Sequence, residues 1–250
     1  MSRLVSHSPW LQLADVVDPP LTPSAYDDEF ESTVLDAGWT RLGTFDDSTV
    51  IDPYASFSAV GARWSHNSVP SGVGKPSWYM IQPADTMGEV NIYKAITFPN
   101  EFFAYARMSF CQRNATQTDN DALVLMRIEK ASDSDGVYIC LNESDANTIQ
   151  LEAVVRSGGS PTVVANTNNV GGAAVCQGQH GQVVGIQRLT STWHFWALAV
   201  SGNWVHLGST TYSGSIDRVR IGAAVASTAS PGNLIMGIDF FRYRDGRILP

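Results

Sequence analysis

The sequence predicts an all-β domain of the sandwich or barrel type. Runs of apolar and β-branched residues are separated by turn signals about every 8 to 12 residues, and no helical period of useful length is present. The chain of 250 residues is long enough for one sandwich with a large core and an appendage, or for two small domains. We expect the sandwich over residues 26–250 and an extended, proline-rich arm over residues 1–25.

The predicted central strand is the run LIMGIDFFRY at residues 234–243. It follows a strand-like run at 222–225 and a turn at 230–233. Simple alternation puts Leu234, Met236, Ile238 and Phe240 on one face and Ile235, Gly237, Asp239, Phe241 and Tyr243 on the other. Both sets are largely apolar, which predicts a strand covered on both sides. Its predicted partner is the segment 26–39 near the start of the chain.

Further strands are predicted between recurrent turn signals. Residues 157–181, rich in Gly, Asn, Ser and Thr, are either a surface excursion or a pair of weak strands. The other predicted strands are residues 56–64, 77–82, 90–98, 102–112, 122–130, 137–142, 148–156, 182–189, 193–200, 204–208 and 216–225.

Two short motifs at the chain ends carry a family resemblance. An acidic residue before Phe30 is followed by Leu35-Asp-x-x-Trp39, and the last strand reads Asp239-Phe-Phe-Arg-Tyr243. In this layout residues 26–245 resemble the concanavalin A-like lectin/glucanase jelly roll. The resemblance implies an antiparallel two-sheet sandwich with a concave face that often binds glycans. It implies no particular activity, because one fold hosts many functions.

Charge and cysteine content exclude several classes of protein. A net charge of −8 and a pI near 5.0, without a cluster of Lys and Arg, argue against nucleic-acid binding. Cys111, Cys140 and Cys176 lack the spacing of a zinc ribbon or redox motif, so we expect free thiols. We expect neither an export signal nor membrane insertion, because no apolar run is long enough.

The sequence lacks a complete form of the catalytic motif that the resemblance suggests. Family 16 glycoside hydrolases of this fold carry Glu-x-Asp-x-Glu on a strand, and the nearest match here runs from Glu143 through Asp145 to Asn147. Asn147 stands where the second carboxylate is needed, and the segment resembles a turn. No Gly-x-Ser-x-Gly elbow is present either. We therefore expect no enzymatic activity, and a glycoside hydrolase is the third choice.

No cofactor is predicted. Acidic pairs at Asp119/Asp121 and Asp133/Asp135 offer the oxygens that Ca²⁺ binds, but neither completes an EF-hand spacing. A structural Ca²⁺ is therefore only a minor alternative to ordinary acidic turns. The five histidines have no zinc-binding spacing: His7, His66, His180, His194 and His206. Only His194 and His206 lie in predicted strands, and both are assigned to core or surface packing.

The charged residues of the predicted strands suggest a glycan-binding face. Those expected to share one face are Arg107, Arg127, Glu129, Glu152 and Arg156. The aromatic residues expected to stack on sugar rings beside them are Trp64, Trp78, Tyr79 and Trp196. A solvated outer face with weak ion pairs is the alternative interpretation. Trp39, Trp193 and Phe195 are predicted to be core residues.

The arm and the composition together suggest a role in a particle. The arm is either a disordered leader or a docking segment that lays Trp10, Leu11 and Leu13 on a neighbouring subunit. We expect a non-enzymatic bacteriophage virion protein, such as a head decoration, fibre or tail protein, located in the virion. Expected partners are other virion proteins, further copies of the chain and host-surface glycans. The alternative is an extracellular or cell-surface lectin or carbohydrate-binding module.

Overall fold

The structure is a computed structural model. It describes residues 23–30, 35–42, 45–46, 63–66, 78–82, 88–113, 121–132, 135–145, 148–167, 182–199, 202–225 and 234–250. The predicted docking residues Trp10, Leu11 and Leu13 lie outside these ranges. None of the described residues belongs to a helix that is long and apolar enough to span a membrane.

The described residues form two sheets, as the sequence predicts. The strands are β1 (Thr40–Leu42), β2 (Phe45–Asp46), β3 (Arg63–His66), β4 (Trp78–Gln82), β5 (Gly88–Ala95), β6 (Glu101–Arg113), β7 (Asp121–Glu129), β8 (Gly136–Asp145), β9 (Thr148–Ser157), β10 (Ser160–Asn166), β11 (Gln182–Leu189), β12 (Thr192–Leu198), β13 (Trp204–Thr211), β14 (Arg218–Val225) and β15 (Leu234–Asp245). All pairs are antiparallel except β2 with β3.

The two sheets have seven and eight strands. The seven-stranded sheet has the order β1-β5-β14-β7-β8-β9-β10, and the eight-stranded sheet has the order β13-β12-β11-β6-β15-β4-β3-β2. Strand β15 lies between β6 and β4, which confirms that the last strand is central. Strand β14, which precedes it in the chain, belongs to the other sheet.

The core between the sheets is built from alternate residues of both. Ile92, Ile221, Met126 and Ile139 lie opposite one another on four neighbouring strands of the seven-stranded sheet and are fully buried. They pack in one cluster with residues of the eight-stranded sheet, including Phe102, Val184, Trp193 and Phe195. Trp39 is in the same cluster, so the three predicted core residues Trp39, Trp193 and Phe195 are confirmed.

The chain ends meet, but through a smaller contact than predicted. Within the described residues 26–30 and 35–39, the only backbone pairing with β15 is the bridge of Asp28 with Phe241. Side chains complete the joint: Trp39 Nε1 donates to Asp28 Oδ2 at 2.8 Å, and its ring meets Phe241 at 5.6 Å. Arg244 Nη1 donates to both carboxylate oxygens of Asp27, at 2.8 and 2.6 Å.

A bulge makes the predicted alternation of β15 wrong after Ile238. Ile238 pairs with Met108, whereas Phe240 pairs with the adjacent Arg107, so Asp239 is an extra residue in the strand. The extra residue exchanges the two faces beyond it. Ile238 and Phe241 therefore lie in the core, while Phe240 lies in a second cluster on the outside of the sheet.

Two further predictions are corrected in detail. The segment Glu143–Asp145 is not a turn, because β8 continues through it and pairs Glu143 with Ile149 and Asp145 with Thr148. The weak-strand interpretation holds for the first part of residues 157–181, where β10 forms a hairpin with β9. The turn of this hairpin is Gly158-Gly159, whose φ angles of 59° and 80° favour glycine.

Replacement of Phe241 by Ala tests the joint between the chain ends. Phe241 is fully buried, so the change should lower the free energy of unfolding by about 3–5 kcal/mol. Urea denaturation followed by circular dichroism measures the loss. The matched control is Val163→Ala, at a side chain that is 50% exposed, and it should change stability by less than about 0.5 kcal/mol. Equal losses in the two variants would contradict this account of the core.

Candidate functional site

The outer surface of the seven-stranded sheet carries most of the described buried polar groups of the protein. We call it the polar face and define it by Asn91, Tyr93, Arg127, Glu129, Tyr138, Cys140, Gln150, Glu152, Val154, Arg156, Arg218 and Arg220. It faces away from the core because these residues alternate with core residues along β5, β7, β8, β9 and β14. The alternation brings residues from five strands together.

The strand register arranges these residues in rows across the sheet. In one row Tyr93, Arg220, Arg127, Tyr138 and Val154 lie directly opposite one another on β5, β14, β7, β8 and β9. Directly opposite residues of antiparallel strands have Cβ atoms about 4.5–5.5 Å apart, so their side chains contact each other. In this row two adjacent arginines lie between two tyrosines, and Val154 stands at the end.

The next row is organised by one carboxylate. Glu129 is 1% exposed and lies opposite Arg218, whose Nη2 is 2.6 Å from Glu129 Oε1. Arg220 Nη2 is 2.7 Å from the other oxygen, Oε2, and Arg127 Nη1 is 3.9 Å from it. Removing ions from water is costly unless they are paired, so this carboxylate and its guanidinium groups hold each other in position.

The two tyrosines are partly exposed and each packs against an arginine. The guanidinium of Arg127 lies over the ring of Tyr138 at 5.4 Å, and that of Arg218 lies over Tyr93 at 4.8 Å. Burial raises the pKa of Tyr138 to about 12, so its hydroxyl stays protonated at neutral pH and can donate a hydrogen bond.

A second carboxylate lies further along the face, on β9. Gln150 Nε2 donates to Glu152 Oε1 at 3.1 Å, and Cys140 Sγ is 3.9 Å from Oε2. Burial, followed by the nearby Glu152, raises the pKa of the Cys140 thiol. A thiol that stays protonated is a poor nucleophile, so Cys140 is a packing residue. Cys140 is free, as predicted, whereas the side chains of Cys111 and Cys176 lie outside the described residues.

Some polar atoms of this face are buried without a hydrogen-bond partner among the described atoms, and Arg156 Nε and Asn91 Oδ1 are among them. Arg156 itself is partly exposed and lies at the end of β9, opposite Gly136. Gly136 is required there, because a Cβ atom would lie 2.7 Å from the Cα of Glu129. Arg156 therefore has no opposing side chain on β8.

The prediction that five charged residues share one face is wrong for Arg107. Arg127, Glu129, Glu152 and Arg156 do share the polar face, but Arg107 lies on β6 in the eight-stranded sheet. The prediction treated strands that follow each other in sequence as neighbours in space. The chain instead crosses from one sheet to the other between β6 and β7.

Trp196 is also on the other sheet, in a patch that we call the aromatic face. This face is the outer cluster of Phe103, Tyr105, Val183, Trp196, Leu198 and Phe240, against which Trp204, Ile248 and Leu249 pack. Gln187 holds the last residues there: its Oε1 accepts hydrogen bonds from the backbone N–H groups of Ile248 and Leu249 at 3.1 and 2.8 Å. Trp196 is only 6% exposed.

The remaining predicted residues are placed only in part. Trp64 lies in β3, and Trp78 and Tyr79 lie in β4, all in the eight-stranded sheet, and only their backbone is described. They share a sheet with Trp196 and Arg107 but not with Arg127 and Glu152.

The acidic turns give little support for a Ca²⁺ site. Asp119 and Asp133 fall outside the described residues, as does the side chain of Asp121. Asp135 accepts hydrogen bonds from the N–H groups of Gly158 and Gly159, at 2.6 and 3.0 Å, and so fixes the hairpin turn. Among the described side chains, no group of three or more His, Cys, Asp or Glu residues could hold a metal ion.

Sequence reasoning missed eight residues of the polar face, among them Tyr93, Tyr138, Arg218 and Arg220. The signal was present in Arg218-Val-Arg220, where two charges flank an apolar residue in a predicted strand. The sequence alone does not show which strands lie beside that strand in the sheet. Only the order β5-β14-β7 brings these arginines beside Glu129 and Tyr93.

Comparisons with known proteins identify the fold. No protein-family model and no curated protein matches the chain. Among solved structures, the GH43 protein BlXynB of Bacillus licheniformis is similar with a TM-score of 0.57 and 12% identity, covering 91% of this chain and 40% of that one. This chain therefore spans only about two fifths of BlXynB.

Two smaller solved structures match over almost their whole length. The CBM2 module of the evolved Dit of Lactobacillus casei BL23 phage J-1 has a TM-score of 0.54 and 13% identity, covering 91% of this chain and 98% of that one. The carbohydrate recognition domain of Emp47p has a TM-score of 0.55 and 9% identity, covering 92% and 100%. Together with the two antiparallel sheets, these likenesses confirm the predicted jelly-roll sandwich.

Replacement of Glu129 by Gln tests the ion network of the polar face. Gln keeps the shape but removes the charge, which leaves Arg220 and Arg218 without their shared carboxylate. Breaking a buried ion pair at one partner costs about 3–5 kcal/mol, and chemical denaturation should show a loss of that order. Glu101→Gln, at an exposed residue, is the control and should be nearly neutral. If Glu129→Gln left the free energy of unfolding unchanged, the network would not contribute to stability.

Proposed function

We propose that this chain is a non-catalytic glycan-binding module and that the ligand binds along the polar face. The observation that carries the proposal is the strip of tyrosines and arginines around Glu129, which crosses five neighbouring strands. Binding sites for sugars need planar polar groups that hydrogen-bond to hydroxyls and rings that stack on the apolar face of a sugar. The polar face offers both.

The ion network supports this role because it fixes its donors in advance. Glu129 engages Arg218 and Arg220 through both carboxylate oxygens, so neither guanidinium has to be ordered when a ligand binds. A site that is ordered beforehand loses less conformational entropy on binding. The groups expected to contact the ligand are the partly exposed ones, Tyr93, Tyr138 and Arg156, with Arg127 and Glu152 behind them.

The same contacts argue against a glycoside hydrolase. Retaining hydrolysis needs two carboxyl groups, one as nucleophile and one as proton donor. Both oxygens of Glu129 are held by arginines, and both oxygens of Glu152 have neighbouring donors in Gln150 and Cys140. The segment from Glu143 to Asn147 lacks the second carboxylate.

A place on a bacteriophage particle is the second part of the proposal. It is supported by the likeness to the Dit module of phage J-1, which this chain matches over 98% of that module's length. The residues of the arm, Trp10, Leu11 and Leu13, would attach the sandwich to another virion protein or to a second copy. The polar face would then be displayed towards glycans of the host surface.

A glycan array with the purified chain tests the first part. We expect binding to one class of glycan, and Tyr138→Ala and Arg156→Ala should each weaken it at least about tenfold, equivalent to about 1.4 kcal/mol. Both side chains are partly exposed, so the variants should remain folded. The same glycans incubated with the protein should not be hydrolysed.

Variants on the opposite sheet are the matched controls. Arg107→Ala and Trp64→Ala should leave binding unchanged. If these two abolish binding while Tyr138→Ala and Arg156→Ala retain it, the ligand lies on the eight-stranded sheet and the assignment is wrong. Absence of binding to any glycan would overturn the function itself.

Mass spectrometry of purified particles tests the second part. The protein should be found in assembled virions, and a variant lacking residues 1–25 should be lost from them although it remains folded. Absence of the full chain from particles would refute the virion role and leave the glycan-binding proposal standing. Retention of the shortened variant would refute the role of the arm.

A further inference from the structure

A pair of histidines lies outside the polar face, on the surface of the eight-stranded sheet. His194 is on β12 and His206 is on the neighbouring edge strand β13. A bulge in this strand pair places Trp196 opposite His206 and makes Leu207 the extra residue. Leu207 can then enter the core, 4% exposed, while both histidines point outwards.

The separation of the two rings matches a metal-binding pair. His194 Nδ1 and His206 Nε2 are 3.3 Å apart. Two nitrogen ligands at about 2.0–2.1 Å from a tetrahedral ion are about 3.3–3.4 Å apart. The rings therefore need little movement to hold one ion between these two atoms.

The chemistry of the rings suits the same role. A neutral imidazole offers a nitrogen lone pair to a metal ion. Arg247 interacts electrostatically with His194, and its positive charge weakens the attraction for any cation.

We propose that His194 and His206 form a two-histidine site for a divalent transition-metal ion, with water completing its coordination. Imidazole ligands suit Cu²⁺, Ni²⁺ and Zn²⁺, and the site contains no carboxylate ligand among the described residues that would favour Ca²⁺ or Mg²⁺. The order of affinity for such ligands places Cu²⁺ first, and its tetragonal geometry requires the two nitrogens to approach each other to about 2.8 Å, whereas tetrahedral Zn²⁺ fits the observed spacing. The site is on the sheet opposite the polar face, so it is independent of glycan binding.

Calorimetric titration of tag-free protein with CuCl₂, ZnCl₂ and CaCl₂ tests the site. We expect saturable binding of one Cu²⁺ ion, weaker binding of Zn²⁺ and no binding of Ca²⁺. His194→Ala and His206→Ala should each weaken Cu²⁺ binding at least about tenfold, since one ligand of two is lost. His66→Ala and His180→Ala are the matched controls and should bind as the unchanged protein does.

Two further readouts make the test independent of protein stability. The ring of His206 is 4.7 Å from that of Trp196, so bound Cu²⁺ should quench tryptophan fluorescence, and Trp196→Phe should reduce that quenching. Electron paramagnetic resonance of bound Cu²⁺ should show two imidazole nitrogens in the unchanged protein and one in each single variant. Unchanged affinity in both histidine variants, or no saturable Cu²⁺ binding, would overturn the proposal.

Discussion

The structure depends on the contact between an acidic segment near the start of the described chain and its last strand. Arg244 is held by Asp27 across 217 residues of sequence, and Trp39 is held by Asp28. Burial raises the pKa of Asp28, because the charged carboxylate is removed from water. Hydrogen bonds donated by the Phe30 N–H and the Trp39 indole partly offset this rise. Together these contacts cover Phe241 and close one side of the core.

Closing the core in this way leaves the outer surface of each sheet for other uses. The seven-stranded sheet gathers arginines and carboxylates into an ordered network, whereas the eight-stranded sheet builds a second apolar cluster around Phe103, Tyr105 and Trp196. Gly185 makes that cluster possible, because a Cβ atom there would lie 2.5 Å from the ring of Phe103. The two surfaces therefore differ in chemistry although both lie on the same sandwich.

The sequence was sufficient for the fold class and for most strands, because alternation and turn residues are local signals. The predicted strand at residues 182–189 agrees with β11 at both ends. Adjacency of strands is not a local signal, so Arg107 was grouped with Arg127 although they lie on different sheets. The arginine partners of Glu129 were missed for the same reason, since Arg218 and Arg220 are 89 and 91 residues away from it in the chain.

The single extra residue in β15 has a consequence for how this protein can change over time. Asp239 shifts the alternation of the strand by one residue, so it decides which of the following side chains face inward and which face outward. Loss of Asp239 itself would let Ile238 and Phe240 pair regularly with Met108 and Arg107, whereas loss of a paired residue of the strand would exchange the inward and outward side chains beyond it. Natural variants of this chain should therefore tolerate substitutions in the strand far better than insertions or deletions.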